Sequence, residues 1–209
     1  MKKYLYITFA LFVALMSSCS ETNEENTEFA DWENRNNAYF NDVYAKAKAA
    51  ISNGDTNWKI IRCYSKNEAS TKPTDYIVAK VISEGKAPLE GQQCPLFSDS
   101  VQIHYRGYLM PTASYNTTVE GYPSNVGYQF DSSWTGNYNL ATMVPTKGVT
   151  GSFVSGFTTA LMDMRVGDRW LVYIPYDQAY GTSGNNSIPG YSTLLFDMTL
   201  SKFWKKRLK

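Results

Sequence analysis

Apolar positions change their spacing several times along this chain. From Tyr4 to Met16 they are almost continuous, and residues 20–28 (SETNEENTE) then hold none. Between Phe29 and Ser52 they return at three- and four-residue steps, through Phe29, Trp32, Tyr39, Phe40, Val43, Ala47 and Ile51. That spacing predicts an amphipathic helix over 29–52, stopped by Asn53-Gly54-Asp55. From Trp58 onward the texture is that of strands. They are predicted at Trp58–Tyr64, Tyr76–Ser83, Val101–Tyr105, Gln129–Ser132, Trp170–Pro175 and Thr193–Phe203. Strict alternation puts Val101, Ile103 and Tyr105 on one face. One short helix interrupts the strands, near Gly156–Met164, with Phe157, Ala160, Leu161 and Met164 as its apolar stripe. Ser155 is placed to cap its start and Gly167 to supply a left-handed residue near its end. Residues 83–91 read as a turn and 111–127 as a loop.

This inventory has no strand–helix–strand alternation, so a doubly wound sheet is disfavoured. The class is α+β, with antiparallel strands, one short inner helix and a longer helix in front. The helix over 29–52 has one apolar face, which must be covered by the body of the protein or by a partner subunit. The organisation expected is a leader (1–18), a tether (19–28), a helical extension (29–75) and a main domain (76–209).

Composition supports a packed body. Of 209 residues, 43% are hydrophobic and 15% aromatic, with 16 Tyr and 10 Phe, so a disordered chain is excluded. The net charge is +1. Removing a leader that carries Lys2 and Lys3 leaves 18 basic against 19 acidic residues, a net −1. Neither balance offers a surface for phosphates, which argues against nucleic acid as a partner.

The N-terminus has the order of an address. Lys2-Lys3, an apolar run too short to span a bilayer, and small residues before Cys19 form a secretory pattern. Leu15-Met16-Ser17-Ser18-Cys19 resembles a bacterial lipobox. The resemblance implies cleavage before Cys19, acylation of that residue, and a lipid-anchored place in a Gram-negative envelope, at the outer membrane. Membrane contact is expected through this anchor only. The other cysteines, Cys63 and Cys94, are compatible with a disulfide or with two buried free thiols. No metal-ligand spacing occurs, and with His104 as the single histidine no common zinc site is expected. His104 reads as a surface or second-layer strand residue rather than a catalytic base, because no activated serine accompanies it.

Five segments carry a more specific signal. They are Val101-Gln102-Ile103-His104-Tyr105-Arg106-Gly107; Phe130-Asp131-Ser132-Ser133; Val154-Ser155-Gly156-Phe157 leading to Met164-Arg165-Val166-Gly167-Asp168-Arg169; Ile174-Pro175 with Ala179-Tyr180-Gly181; and Ile188-Pro189 followed by Leu194-Leu195-Phe196-Asp197. In this order and spacing, over about residues 76–203, they resemble an FKBP-type peptidyl-prolyl cis/trans isomerase domain. The resemblance implies a strongly bent antiparallel sheet wrapped around one short helix, with an aromatic ligand pocket between them. It implies pocket roles for Tyr105, Phe130, Asp131, Val154, Phe157, Tyr180, Ile188 and Phe196. Phe157 would floor the pocket, the Val154 N–H and the Tyr180 hydroxyl would hold substrate carbonyls, and Asp131 would accept hydrogen bonds at the wall. It also implies proline-containing polypeptides as clients, macrolides as a possible inhibitor class, and no cofactor or metal. Phe153 and Val154 stand where Val-Ile is usual, and Ser152 where an acidic residue often sits. Residues 134–152 resist registration, so one aromatic wall residue is unassigned. A peptide-binding or chaperone module with little or no rotamase activity is the alternative for the same pocket.

Overall fold

The computed structural model describes residues 27–86 and 91–205. The leader, Cys19 and the tether up to residue 26 lie outside the described residues, as do residues 87–90 of the turn expected at 83–91. Thr27–Phe29 forms a single 3-10 turn. Asp31–Lys209 is one compact unit.

The first long element is α1, Trp32–Ser52. It begins three residues later than the apolar pattern predicts, because Asp31 takes a left-handed conformation (φ 51°) immediately before it. Its end falls where expected: Gly54 adopts φ +86°, which few other residues tolerate. Seven strands follow: β1 (Trp58–Arg62), β2 (Tyr76–Ser83), β3 (Ser100–Leu109), β4 (Gln129–Ser132), β5 (Thr146–Val149), β6 (Arg169–Ile174) and β7 (Leu194–Trp204). All pair antiparallel, in the order β1-β2-β6-β7-β3-β4. β3 is the spine of one half. Along one side it pairs with β7 over its whole length, from Ser100 opposite Trp204 to Leu109 opposite Leu194. Its other side is shared, Ser100–Ile103 by β5 and Arg106–Tyr108 by β4. Register shifts interrupt the β3–β7, β3–β4 and β2–β6 ladders. Such bulges bend strands and raise the local twist.

The strand β5 gives residues 134–152 the register that the sequence leaves open. The second helix, α2 (Ser155–Asp163), follows at once and packs against β1, β2 and β6. Gly156 makes this approach possible, since a Cβ there would lie 2.3 Å from Ile174 Cγ2. Ser155 is not the cap. Val154 holds that position, and the Ser155 hydroxyl turns instead to Gln178 Oε1 (3.2 Å) and Ser65 Oγ (2.9 Å). Gly167 is left-handed (φ +94°), as its place after the helix requires.

The opposite face of the sheet is covered by α1. Phe40, Val43 and Ala47 pack on Val78, Tyr108, Leu171, Tyr173 and Leu195. The helix is therefore docked in cis, and polar bonds fix its start. Trp32 Nε1 donates to Ser192 Oγ (2.9 Å), and the Asn36 carboxamide accepts the Thr193 N–H (2.7 Å). With a helix on each side, the central strands are apolar on both faces, which is why β2 and β6 read as near-continuous hydrophobic runs. His104 is buried at 3% exposure, on the face opposite Tyr105, so its place is in the second layer rather than at the surface. Burial lowers its pKa. Cys63 and Cys94 are both free thiols. Cys63 is buried, its pKa pushed up to about 11 by desolvation, whereas Cys94 is half-buried. Among the described residues no helix is long and apolar enough to cross a membrane.

Candidate active site

Between α2 and the bent half of the sheet lies a pocket of about 260 Å³, lined by Tyr105, Phe130, Asp131, Ser152, Phe153, Val154, Phe157, Tyr180 and Phe196. Its contributors are dispersed in sequence. Tyr105 comes from β3, Phe130 and Asp131 from β4, and Phe196 from β7. Ser152 to Phe157 come from the turn and first residues of α2, and Tyr180 from the loop after β6.

The base is a cluster of edge-to-face rings. Phe157 is 3% exposed and Phe196 5%. Their centroids stand 5.0 Å apart at 90°, with Tyr105 6.0 Å from Phe157 at 88° and Phe130 5.6 Å from Phe196 at 86°. Edge-to-face packing sets the positive edge of one ring against the negative face of another. Gly107 lets the rings close up: a Cβ at that position would sit 2.5 Å from Phe130 and 2.8 Å from Phe196. This is a steric reason for the glycine that ends the Val101–Gly107 segment.

Polar groups are few. The Tyr105 hydroxyl donates to Asp131 Oδ2 at 2.8 Å, while Asp131 Oδ1 accepts the Ser132 N–H at 2.7 Å. Burial, then the hydrogen bond to Asp131 and its charge, push the Tyr105 pKa up to about 12. Tyr105 is thus a neutral donor at any physiological pH, and it holds the carboxylate against the wall. The Tyr180 side chain is 40% exposed at the rim. Val154 stands at the N-cap of α2, and its backbone N–H meets no acceptor among the described residues.

Seven of the eight residues singled out in the sequence line this pocket. Ile188 does not. It is buried at 3% exposure within the loop before β7, where its N–H bonds Asn185 Oδ1 at 3.0 Å. Two lining residues were not among the eight. Phe153 stacks beside Phe157, with centroids 4.9 Å apart at 33°, and Ser152 lies at the edge. Phe153 supplies an additional aromatic wall where a Val is usual, and residues 134–149 supply none of the lining. A signal for this was present: Gly148 leaves room for the Phe153 ring, which a Cβ there would meet at 2.7 Å.

The tyrosines make the fold sensitive to alkali. Tyr173 is 1% exposed, and burial pushes its pKa up to about 12, as for Tyr105. In the unfolded chain both ionise near pH ~10. Below that pH they are neutral in both states and their contribution is intact. Between about pH 10 and 12 the unfolded chain binds fewer protons than the folded one, so stability falls as pH rises. Tyrosinate absorbance should therefore complete its rise only with loss of the circular dichroism of the sheet. Full ionisation of every tyrosine on an intact fold would contradict this.

A model of the family described as FKBP-type peptidyl-prolyl cis-trans isomerase matches residues 91–201. The chain is 31% identical over 143 residues to the macrophage infectivity potentiator of Trypanosoma cruzi, a match that covers 68% of this chain and 62% of that protein. It is 32% identical over 102 residues to FK506-binding protein 2 of Aspergillus oryzae, covering 49% of this chain and 63% of that one. The chain thus spans under two thirds of the length of these relatives. Among solved structures it is similar to a peptidyl-prolyl cis-trans isomerase of Pseudomonas syringae, at 20% identity and a TM-score of 0.48, over 79% of this chain and 96% of that one. The family match takes in β3 through most of β7, the stretch that supplies every wall of the pocket. It covers more than half of the sequence, and on that ground the chain belongs to the FKBP-type peptidyl-prolyl cis-trans isomerase family.

Proposed function

We propose that the protein catalyses cis/trans isomerisation of Xaa-Pro bonds in polypeptide clients, and that the aromatic pocket is where it does so. The observation that carries this reading is the pocket itself: an apolar, ring-walled concavity with few polar groups, none of them an activated nucleophile. Amide resonance puts a barrier of about 20 kcal/mol on rotation about the peptide C–N bond. For Xaa-Pro, uncatalysed exchange takes roughly tens to hundreds of seconds. No covalent bond breaks, so neither a nucleophile nor a metal is needed. The twisted amide is less charge-separated than the planar one. A desolvated apolar site therefore favours the twisted form, and only that difference accelerates the step.

In this reading Phe157 and Phe196 are the floor under the prolyl ring, and Tyr105, Phe130 and Phe153 are the walls. The Val154 N–H and the Tyr180 hydroxyl hold the flanking carbonyls while the ring turns. Asp131, fixed by Tyr105, accepts a hydrogen bond from the substrate backbone. Macrolides that mimic a twisted prolyl amide are expected to compete for the same surface. The finer placement follows from the N-terminal pattern: the chain is anchored in the cell envelope by a lipid on Cys19 and acts on extracytoplasmic clients. Incorporation of labelled fatty acid that is lost in Cys19→Ser tests the anchor.

The activity is tested by proline-limited refolding and by turnover of a chromogenic Xaa-Pro tetrapeptide. A rate above the uncatalysed one is expected. Peptide binding without any acceleration would leave the protein as a binding module alone. Tyr180→Phe removes one neutral hydrogen bond, so kcat/KM should fall about two- to tenfold. Its thermal midpoint should hardly move, because the side chain is exposed at the rim.

A further inference from the structure

Beside the pocket, three large apolar side chains face outward. Tyr64, Leu96 and Phe97 are 45%, 54% and 46% exposed. They come from two segments, Tyr64 from one and the adjacent Leu96 and Phe97 from the other, and the Tyr64 and Phe97 rings meet at 5.3 Å. Each segment is tied down. Leu96 N–H donates to Asp99 Oδ2 at 2.9 Å, and the Phe97 carbonyl accepts the Gly151 N–H at 2.8 Å. The Phe97 ring lies directly on Gly151, where a Cβ would fall 2.4 Å from it. Tyr64 N–H donates to Thr159 Oγ1 at 3.2 Å, and the next hydroxyl, Ser65, meets Ser155 Oγ at 2.9 Å.

Gly151, Ser155 and Thr159 are on the elements that carry the pocket wall, the Thr150–Ser152 turn and α2, and Asp99 is joined to the same turn by the Thr150 N–H, which donates to its carbonyl at 2.8 Å. Gly151 is two residues from Phe153, a separation of at most about 8 Å. An extended client seated in the pocket advances roughly 3.3 Å per residue, so it reaches Phe97 within about two to four residues of its proline.

We propose that Tyr64, Leu96 and Phe97 form a docking shelf for an apolar, preferably aromatic, client side chain two to four residues from the isomerised proline. The proposal rests on the isomerase reading and names the client class: segments that are exposed only in unfolded chains. Continuity with the pocket selects this occupant. A second copy of the chain is disfavoured, because a stable dimer needs about 800 Å² per partner and three side chains offer far less. A shelf held rigid before binding also loses little entropy on engagement.

The test uses Tyr64→Ser/Leu96→Ser, which leaves Phe97 seated on Gly151. Four Ala-rich peptides are compared: with Leu-Pro or Leu-Ala, and either with Phe three residues to each side of that pair or with no Phe. The full chain should show kcat/KM about tenfold higher for the Phe-bearing Leu-Pro peptide, mainly through KM. The variant should lose that advantage while turning over the Phe-free Leu-Pro peptide as before. Turnover with no gain from Phe in the unsubstituted protein overturns the shelf and leaves the isomerase reading intact. Phe-dependent binding that the variant loses, without isomerisation of any peptide, supports the shelf and sinks the isomerase reading. Self-association abolished by the same substitutions would assign the surface to a second copy and overturn the proposal.

Discussion

Phe157→Ala should unfold far more readily than the unsubstituted protein and lose most of the proposed rotamase activity. The ring is 3% exposed and touches Phe153, Tyr105 and Phe196, with centroid distances of 4.9, 6.0 and 5.0 Å. Truncation removes the transfer energy of the ring and leaves a cavity that these neighbours fill only in part, a loss of about 3–5 kcal/mol. The denaturant midpoint measures that loss. The activity loss has a separate cause: the hole replaces the flat surface on which the prolyl ring would turn. Phe157→Leu separates the two effects. It keeps most of the volume, so its stability penalty should stay under about 1.5 kcal/mol, yet kcat/KM should still drop. A Phe157→Ala protein with native stability and full turnover would show that the chemistry sits elsewhere.

The second large effect concerns β7, which carries Phe196 on its pocket face and Asp197 on the other. Phe196 points into the pocket, so its neighbour Asp197 points away, towards α1. Asp197 is 1% exposed, and three long-range bonds converge on it. Arg169 reaches it twice, Nε to Oδ1 at 2.9 Å and Nη2 to Oδ2 at 2.6 Å, and the Tyr122 hydroxyl donates to Oδ2 at 2.5 Å. Arg169 also stacks on Tyr138 at 3.7 Å, and the Tyr138 hydroxyl meets Thr199 Oγ1 at 2.9 Å. The network pins residues of the 111–127 loop and of the 134–145 segment onto the back of the sheet. Asp197→Ala leaves the guanidinium, only 18% exposed in its side chain, without its counter-charge, and leaves the Tyr122 hydroxyl without its acceptor. Removing one partner of such a pair is expected to cost about 3–5 kcal/mol, read from the urea midpoint. Turnover per folded molecule should stay near normal, since the carboxylate faces away from the pocket. Replacing both partners, as in Asp197→Leu/Arg169→Met, should recover much of the loss, because no charge is then stranded. A single variant within about 1 kcal/mol of the starting protein would mean that the network contributes little to the fold.

Opposite fates of adjacent residues show what was legible beforehand. The Leu194–Phe196 run marks a strand in any context. Asp197 stands in the fifth motif segment, yet nothing local says that Arg169 and Tyr122 will meet it, 28 and 75 residues away. The same holds in the pocket. The motif segments mark Tyr105 and Asp131 as candidates for the pocket that both line, whereas nothing local marks the hydrogen bond by which Tyr105 holds Asp131. Phe153 departs from the usual Val in the motif and forms a wall of the pocket. Ile188, which followed the motif, became loop packing.

Sequence alone determined every long element except β5, because their signals are local: three- and four-residue steps for α1 and α2, alternating or continuous apolar runs for the strands, and glycines at the turns. It also determined the order of the motif segments, and with it the family and most of the pocket. Tertiary structure decided which side chains converge. That depends on strand register and on the bulges in the β3–β7 and β3–β4 ladders, where a shift of one residue would turn Tyr105 or Phe196 to the other face. Register is set by pairing between segments tens of residues apart, and no local pattern records it.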